Sequence, residues 1–245
     1  MTRARVLGTI AGIFITLVAI AMLPVGLVTM FRARRLYALV VRGTAIAVLR
    51  LYGIRIRVHR ASPFPRTQTV YISNHTSTID LFVLVALGLP NCRFFLSGFL
   101  RKLVPLGILA WMMGTFFTVP QDFPEERRRI FQRAARTLAR TRESVYLSPE
   151  GGRITTGEIG HFNKGAFHLA AALRAPIVPM FIRIPAESDP GRGYDARAGI
   201  VDVHVLTPID TSKWKVEDAA ANAERVRALF VEAHNGLSGR TSHAA

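Results

Sequence analysis

Hydrophobic and polar positions divide the chain near residue 53. Two apolar stretches lie upstream. Residues 6–30 (VLGTIAGIFITLVAIAMLPVGLVTM) run for 25 positions without a charge. As a helix, such a segment reaches about 37 Å, enough to cross the hydrocarbon of a bilayer. Pro24 lies inside the run and offers a second geometry, a re-entrant hairpin. A cleaved signal peptide is a third reading, but the run is too long for one and no small-x-small site closes it. Residues 36–52 (LYALVVRGTAIAVLRLY) are apolar, with Arg42 and Arg50 near helical spacing. Two readings fit: an amphipathic helix lying among lipid headgroups, or a helix packed on the domain that follows.

Downstream the periods shorten and alternate. Residues 54–60 (IRIRVHR) alternate apolar and basic positions, as a half-exposed strand does, and residues 67–73 (TQTVYIS) become a buried strand. Residues 79–89 form an apolar helical run stopped by Pro90, and residues 93–97 a short strand. Residues 103–117 are too short to span a membrane and read as a buried helix leading into a strand at 115–119. A helix is predicted over 124–143, with Asp122 as cap, Pro124 in the first turn and Glu125 and Glu126 on the positive end of the dipole. Its buried stripe is Ile130, Phe131, Ala134, Ala135 and Leu138, and its seven arginines read most simply as a solvated face, with a membrane-facing or phosphate-facing role as the alternative. Strands at 144–148, 176–184 and 201–206 and helices at 165–173 and 219–234 complete the series. Alternating strands and helices predict an α/β fold, a mixed sheet flanked by helices with an N-terminal membrane-associated helical segment. The division is residues 1–52 as membrane anchor and amphipathic helical segment and residues 53–245 as the main domain.

Composition narrows the possibilities. The chain has 245 residues, half of them apolar, which excludes a disordered protein and suits one domain with an appendage. The single cysteine, Cys92, excludes an intrachain disulfide and a cysteine-rich zinc site. Lys and Arg number 32 against 16 acidic residues, a formal charge of +16 that calls for an anionic neighbour. The charge accompanies a membrane segment and no nucleic-acid-binding module, which favours a lipid surface or phosphorylated substrate over nucleic acid. More arginines follow the apolar run than precede it, so the body of the protein is expected on the cytoplasmic side of the cell membrane.

Three polar clusters interrupt apolar strands. Ser73-Asn74-His75-Thr76-Ser77-Thr78-Ile79-Asp80 follows a strand and opens a helix. On a regular helix, residues five apart point about 140° away from each other. With His75 in the turn before the helix, its ring folds back onto Asp80. Asp80 then fixes the tautomer, and the second ring nitrogen is open to take a proton from a hydroxyl. The competing reading is a capping cluster, with Thr76 and Ser77 as caps. There is no GxSxG nucleophile signature. Pro149-Glu150-Gly151-Gly152-Arg153 lets the backbone approach a ligand and offers an arginine fork for phosphate, or else is a glycine turn with a surface arginine. His161-Phe162-Asn163-Lys164-Gly165 opens a helix; its N-terminus with Lys164 is an anion site, or a helix start with a solvated lysine. His161 and His168 lack a third ligand and read as structural, so no metal is expected.

In this order the clusters resemble the glycerolipid acyltransferase family, which contains the lysophosphatidic acid acyltransferases. NHTSTID is similar to its Asn-His-x-Ser-x-x-Asp block. PEGGR is similar to Pro-Glu-Gly-Thr-Arg, with Gly152 in place of threonine. FNKGAF resembles Phe-Lys-Lys-Gly-Ala, and Ile177-Val178-Pro179-Met180 the final Val-Pro-Val/Ile block. The resemblance implies an acyltransferase that moves a fatty acyl chain from acyl-CoA or acyl carrier protein to a lysophospholipid hydroxyl, lysophosphatidic acid above all. His75 is implied as general base and Asp80 as its support, with no further cofactor and no acyl-enzyme. Glu150, Gly151, Gly152, Arg153 and Lys164 are implied as acceptor-binding residues. One block departs from the family. Gly114-Thr115-Phe116-Phe117-Thr118-Val119-Pro120 matches Gly-x-x-Phe-x-x-Arg except at its end, where Pro120 replaces the arginine that meets the acceptor. Two alternatives follow: the same chemistry on a lyso-aminolipid or glycolipid, or an inactive protein that binds the membrane surface.

Overall fold

The computed structural model describes residues 3–239 apart from 191, 192 and 194. Two helices come first, α1 (Arg3–Val28) and α2 (Arg34–Leu51). Seven strands follow: β1 (Ile54–His59), β2 (Val70–Ser73), β3 (Cys92–Ser97), β4 (Phe116–Thr118), β5 (Ser144–Leu147), β6 (Ile177–Arg183) and β7 (Gly199–Val205). Between and after them lie α3 (Asp80–Leu87), α4 (Val104–Met112), α5 (Pro124–Thr141), α6 (Gly165–Leu173) and α7 (Ala219–Gly239). The strands form one sheet in the order β1-β7-β6-β2-β5-β3-β4, parallel at every pairing except β6 with β7. This is the mixed α/β sheet with flanking helices that the periodicity predicts.

The central strands read as unbroken apolar runs because both sheet faces are covered. Tyr71, Tyr146, Val178, Met180 and Ile182 point into the core beneath α1 to α4. Their neighbours Val70, Ile72, Val145, Leu147, Ile177 and Phe181 point into the core beneath α5 to α7. The alternation follows the period of two along a strand. The edge strand β1 is covered less, and Val58 is exposed.

The N-terminal segment departs from two of the expected geometries. α1 runs through Pro24, and the turn falls after Val28. Its buried residues Ala11, Ile15, Ala19, Met22 and Gly26 recur every three or four positions and form one narrow stripe. That stripe faces α4 above all, and α2. The other flanks keep Ile13, Leu17 and Ile20 more than half exposed. α2 takes the packed reading of its two: Tyr37, Thr44, Ala45, Val48 and Leu49 are buried, chiefly against α3, and Arg42 Nε donates to the Ala86 carbonyl at 3.1 Å. An ion-pair network pins its start to the sheet. Glu143 takes Arg93 Nε and Nη2 at 2.7 Å each and Arg34 Nη2 at 3.2 Å. α5 is capped at Phe123 without a side-chain bond, so Asp122 does not serve as its cap.

Candidate active site

The site lies where the carboxyl ends of β2 and β5 lie side by side, with Ile72 paired to Leu147. In open α/β sheets, ligands bind at this edge. β2 runs into Asn74 and His75, and β5 into the 149–153 loop. Two clusters 75 residues apart in sequence are therefore brought together by parallel pairing. Asn74 prolongs the pairing of β2 with β6 through its side chain: Nδ2 donates to the Ile182 carbonyl at 2.9 Å, and Oδ1 accepts from the Ile182 N–H at 2.8 Å.

The turn from His75 to Asp80 is organised around one carboxylate oxygen. Asp80 Oδ2 accepts from the N–H groups of Thr76 and Ser77 at 2.8 and 2.9 Å and lies 2.8 Å from His75 Nδ1. Asp80 opens α3, so its negative charge also meets the positive end of that helix. The ring folds back onto Asp80 because His75 precedes the helix. The cluster does not cap α3 through a side chain: the cap residue Ile79 has no such bond, Ser77 Oγ accepts from the Ile79 N–H at 3.4 Å, and Asp80 takes the N–H groups of Thr76 and Ser77. Asp80 is 1% exposed at its side chain and His75 32%. A buried carboxylate thus holds Nδ1, while the ring stands in an open cleft. Among the described residues no serine, threonine or cysteine side chain bonds the ring.

Glu150 has a different place from Gly151, Gly152 and Arg153. It is buried, and its carboxylate accepts from the His75 N–H at 2.6 Å and the Gly160 N–H at 2.9 Å. It braces the turn that carries the histidine and does not face the cleft. Burial pushes its carboxyl above the usual range, and the two N–H bonds and the nearby His75 counter that. Gly151, at φ +70°, sits so close to its neighbours that a Cβ there would lie 2.8 Å from Asn163 Nδ2 and 3.1 Å from Gln121 Nε2. Asn163 itself clasps the loop by donating to the Pro149 and Glu150 carbonyls, both at 3.0 Å.

His75, Asp80, Gly151, Gly152 and Arg153 all line one cleft of about 1070 Å³. The cleft extends from this polar end to apolar walls on α1 (Ala11, Ile15), α2 (Val48, Leu49) and α4 (Pro105, Leu106). Lys164 is not brought to it. The lysine is exposed where α6 begins, so the solvated-lysine reading holds for it. His161 lies 3.4 Å from Glu224 on the surface. The cleft also takes in Lys102, Gln121 and Arg127, none of them singled out by itself in the sequence. Arg127 had a signal: it is in phase with the buried stripe, four, seven and eleven positions before Phe131, Ala134 and Leu138. Among the described residues no group of three or more His, Cys, Asp or Glu side chains is gathered to hold a metal ion.

The profile of the Acyltransferase family matches residues 55–183, more than half of the chain. The chain belongs to this acyltransferase family. Over 178 residues, 72% of the chain, it is 32% identical to 1-acyl-sn-glycerol-3-phosphate acyltransferase alpha of Ovis aries. It is 28% identical over 185 residues to the 1-acyl-sn-glycerol-3-phosphate acyltransferase of Saccharomyces cerevisiae. The matches span 62% and 60% of the length of those relatives. In fold it is similar to the 1-acyl-sn-glycerophosphate (LPA) acyltransferase, PlsC, from Thermotoga maritima, with a TM-score of 0.74 over 96% of this chain and 98% of that one at 16% identity. The matched 55–183 region holds both polar loops of the cleft. α1 and α2 lie ahead of it and supply apolar wall.

Proposed function

We propose that the chain is a membrane-bound O-acyltransferase that carries a fatty acyl group from acyl-CoA or acyl carrier protein to the free hydroxyl of lysophosphatidic acid, giving phosphatidic acid. One observation carries the reading: a histidine held through Nδ1 by a buried carboxylate, at the polar end of a cleft whose other walls are apolar. Nε2 of His75 takes the hydroxyl proton as the acceptor oxygen attacks the thioester carbonyl carbon. The new C–O bond forms, the C–S bond breaks, and the departing thiolate takes the proton from the imidazolium. Asp80 stabilises that imidazolium and keeps the ring in its tautomer. Among the described residues no hydroxyl or thiol is bonded to the ring, which supports direct transfer without an acyl-enzyme. The names of the relatives support the acceptor.

Membrane attachment belongs to the same reading. α1 is long and apolar enough to cross a bilayer, and most of it is exposed. The arginine-rich flank downstream of it supports a catalytic domain on the cytoplasmic side. Phe99, Leu103 and Val104 are exposed and line the cleft, where a lipid substrate would enter from the bilayer.

The test is a panel assay of purified protein in detergent. Lysophosphatidic acid, a lyso-aminolipid and a lyso-glycolipid are each offered with acyl-CoA and with acyl carrier protein. Lysophosphatidic acid should give the highest kcat/KM, and His75→Ala should lower transfer by about 10²–10⁴-fold in a folded protein. A higher kcat/KM for either other lipid would overturn the acceptor, and His75→Ala activity within a few-fold of the parent would overturn the chemistry.

A further inference from the structure

The family block that ends in arginine ends here in Pro120, which lines the cleft but has neither charge nor donor. Of the seven arginines between 124 and 143, six are exposed, and Arg127 alone is half-buried. It lies one turn into α5, on the stripe that turns inward, and it lines the cleft with Phe131. Its Nη1 donates to the Val119 carbonyl at 2.8 Å, which ties the guanidinium to the residue just before Pro120. The next residue, Gln121, reaches Gly151: its Nε2 lies 3.1 Å from where a Cβ of Gly151 would stand. The 119–121 segment therefore borders, through Gln121, the glycine loop that leads to Arg153, and holds the Arg127 guanidinium at Val119.

Arg127 also lacks a counter-charge. Among the described residues its side chain has the Val119 carbonyl as partner, and no carboxylate lies within ion-pair distance. Glu125, in the same turn, pairs with Arg128 instead. Burial alone pulls the Arg127 guanidinium below its usual range, with no acidic neighbour offsetting it. Leaving a desolvated cation without a partner is costly, and an incoming anion relieves that cost. The other guanidinium nitrogens can form a fork for a phosphate.

Resting on the acyltransferase reading above, we infer that Arg127 binds the terminal phosphate of the acceptor and takes over, from α5, the role that Pro120 cannot perform. Pro120 then does not mark a phosphate-free acceptor. The phosphate site has been rebuilt with an arginine from the next helix.

The experiment compares the parent with Arg127→Gln, Arg127→Lys and the double variant Pro120→Arg/Arg127→Gln, all as full-length protein in detergent. The acceptors are lysophosphatidic acid and a monoacylglycerol, which presents a free hydroxyl without the phosphate. Arg127→Gln should raise KM for lysophosphatidic acid roughly ten- to a hundredfold, the worth of a hydrogen bond to a charged partner. KM for the acyl thioester should be unchanged, as should the slow transfer to monoacylglycerol. Arg127→Lys, which keeps the charge but not the fork, should fall between. The double variant should recover most of the lost affinity. Should Arg127→Gln fail to fold, Arg127→Lys carries the test through its KM. A parent-like KM for lysophosphatidic acid in Arg127→Gln, or in Arg127→Lys where that is the folded variant, overturns the inference. So does an equal loss on both acceptors, which would mark Arg127 as a structural tie to Val119. If the parent itself does not acylate lysophosphatidic acid, the acyltransferase reading of this acceptor fails first, and the inference falls with it.

Discussion

Glu150 and Arg127 show how far a residue's surroundings set its task. Glu150 belongs to a block expected to meet the acceptor, yet its two oxygens are spent on the N–H groups of His75 and Gly160. A carboxylate held this way positions the histidine backbone and has no oxygen turned to the cleft. Glu150→Gln keeps one acceptor but sets an amide donor against the second N–H, leaving it unsatisfied at a cost of about 1–3 kcal/mol. His75 should shift, and misplacement of about 1 Å in a reacting group costs on the order of 10²-fold. The expected result is a fall in kcat of that order with KM for lysophosphatidic acid within a few-fold of the parent. A rise in KM at constant kcat would show instead that Glu150 contacts the acceptor.

At the scale of elements, parallel pairing does the work that sequence spacing cannot. β2 and β5 deliver their loops side by side, and Asn74 extends the β2 pairing one residue farther by side-chain bonds to Ile182. The opposite edge of the sheet has its own device. His59 of β1 and His204 of β7 are register partners, and their rings stack 4.3 Å apart. Asp202 accepts from His59 Nε2 at 2.7 Å. The His204 imidazole is held below its usual range, first by burial, then by His59, with Arg183 adding and Asp202 opposing. A depressed folded-state value means that the unfolded chain binds the proton first as pH falls. The stability concerned is present above about pH 6.5, the ordinary histidine value, and is lost as pH drops through the lower folded one. His204→Asn should therefore show a smaller drop in Tm than the parent between pH 7.5 and pH 5.5. Parallel Tm curves would refute this coupling at the β1–β7 edge.

At the scale of the whole molecule, α1 has two faces with different partners. Ala11, Ile15, Ala19, Met22 and Gly26 are buried on the protein side, and Ala11 and Ile15 also line the cleft. Leu17 and Ile20 stand 60% and 57% exposed. An apolar surface of this kind, next to the cleft, is suited to contact with acyl chains. Replacing Leu17 and Ile20 with lysine adds about 2.5–3.5 kcal/mol each at the centre of a spanning helix. It leaves the packed stripe untouched. The double variant should move from the membrane pellet to the supernatant in a carbonate wash while keeping its circular dichroism spectrum. Partitioning identical to the parent's would show that this face does not lie in lipid.

By itself the sequence determined the elements and the pairing of His75 with Asp80. Local periodicity carries strand and helix identity, so the predicted 165–173 helix coincides with α6, and the alternating cores follow from period-two strands. His75 and Asp80 are five residues apart, and a turn ahead of a helix suffices to join them. What tertiary structure decided are the contacts between distant segments. The sequence left open whether α2 lies on lipid or on α3, and packing chose α3 because its apolar stripe matches the α3 surface. It placed Lys164 at a helix start suited to an anion and read Arg127 only as one of seven arginines on a helix face. Only the docking of α5 against α6 and β4 turned Arg127 into the cleft, while the start of α6 left Lys164 in water. Charge and helical position are local properties, whereas burial beside a second loop depends on how the whole chain packs.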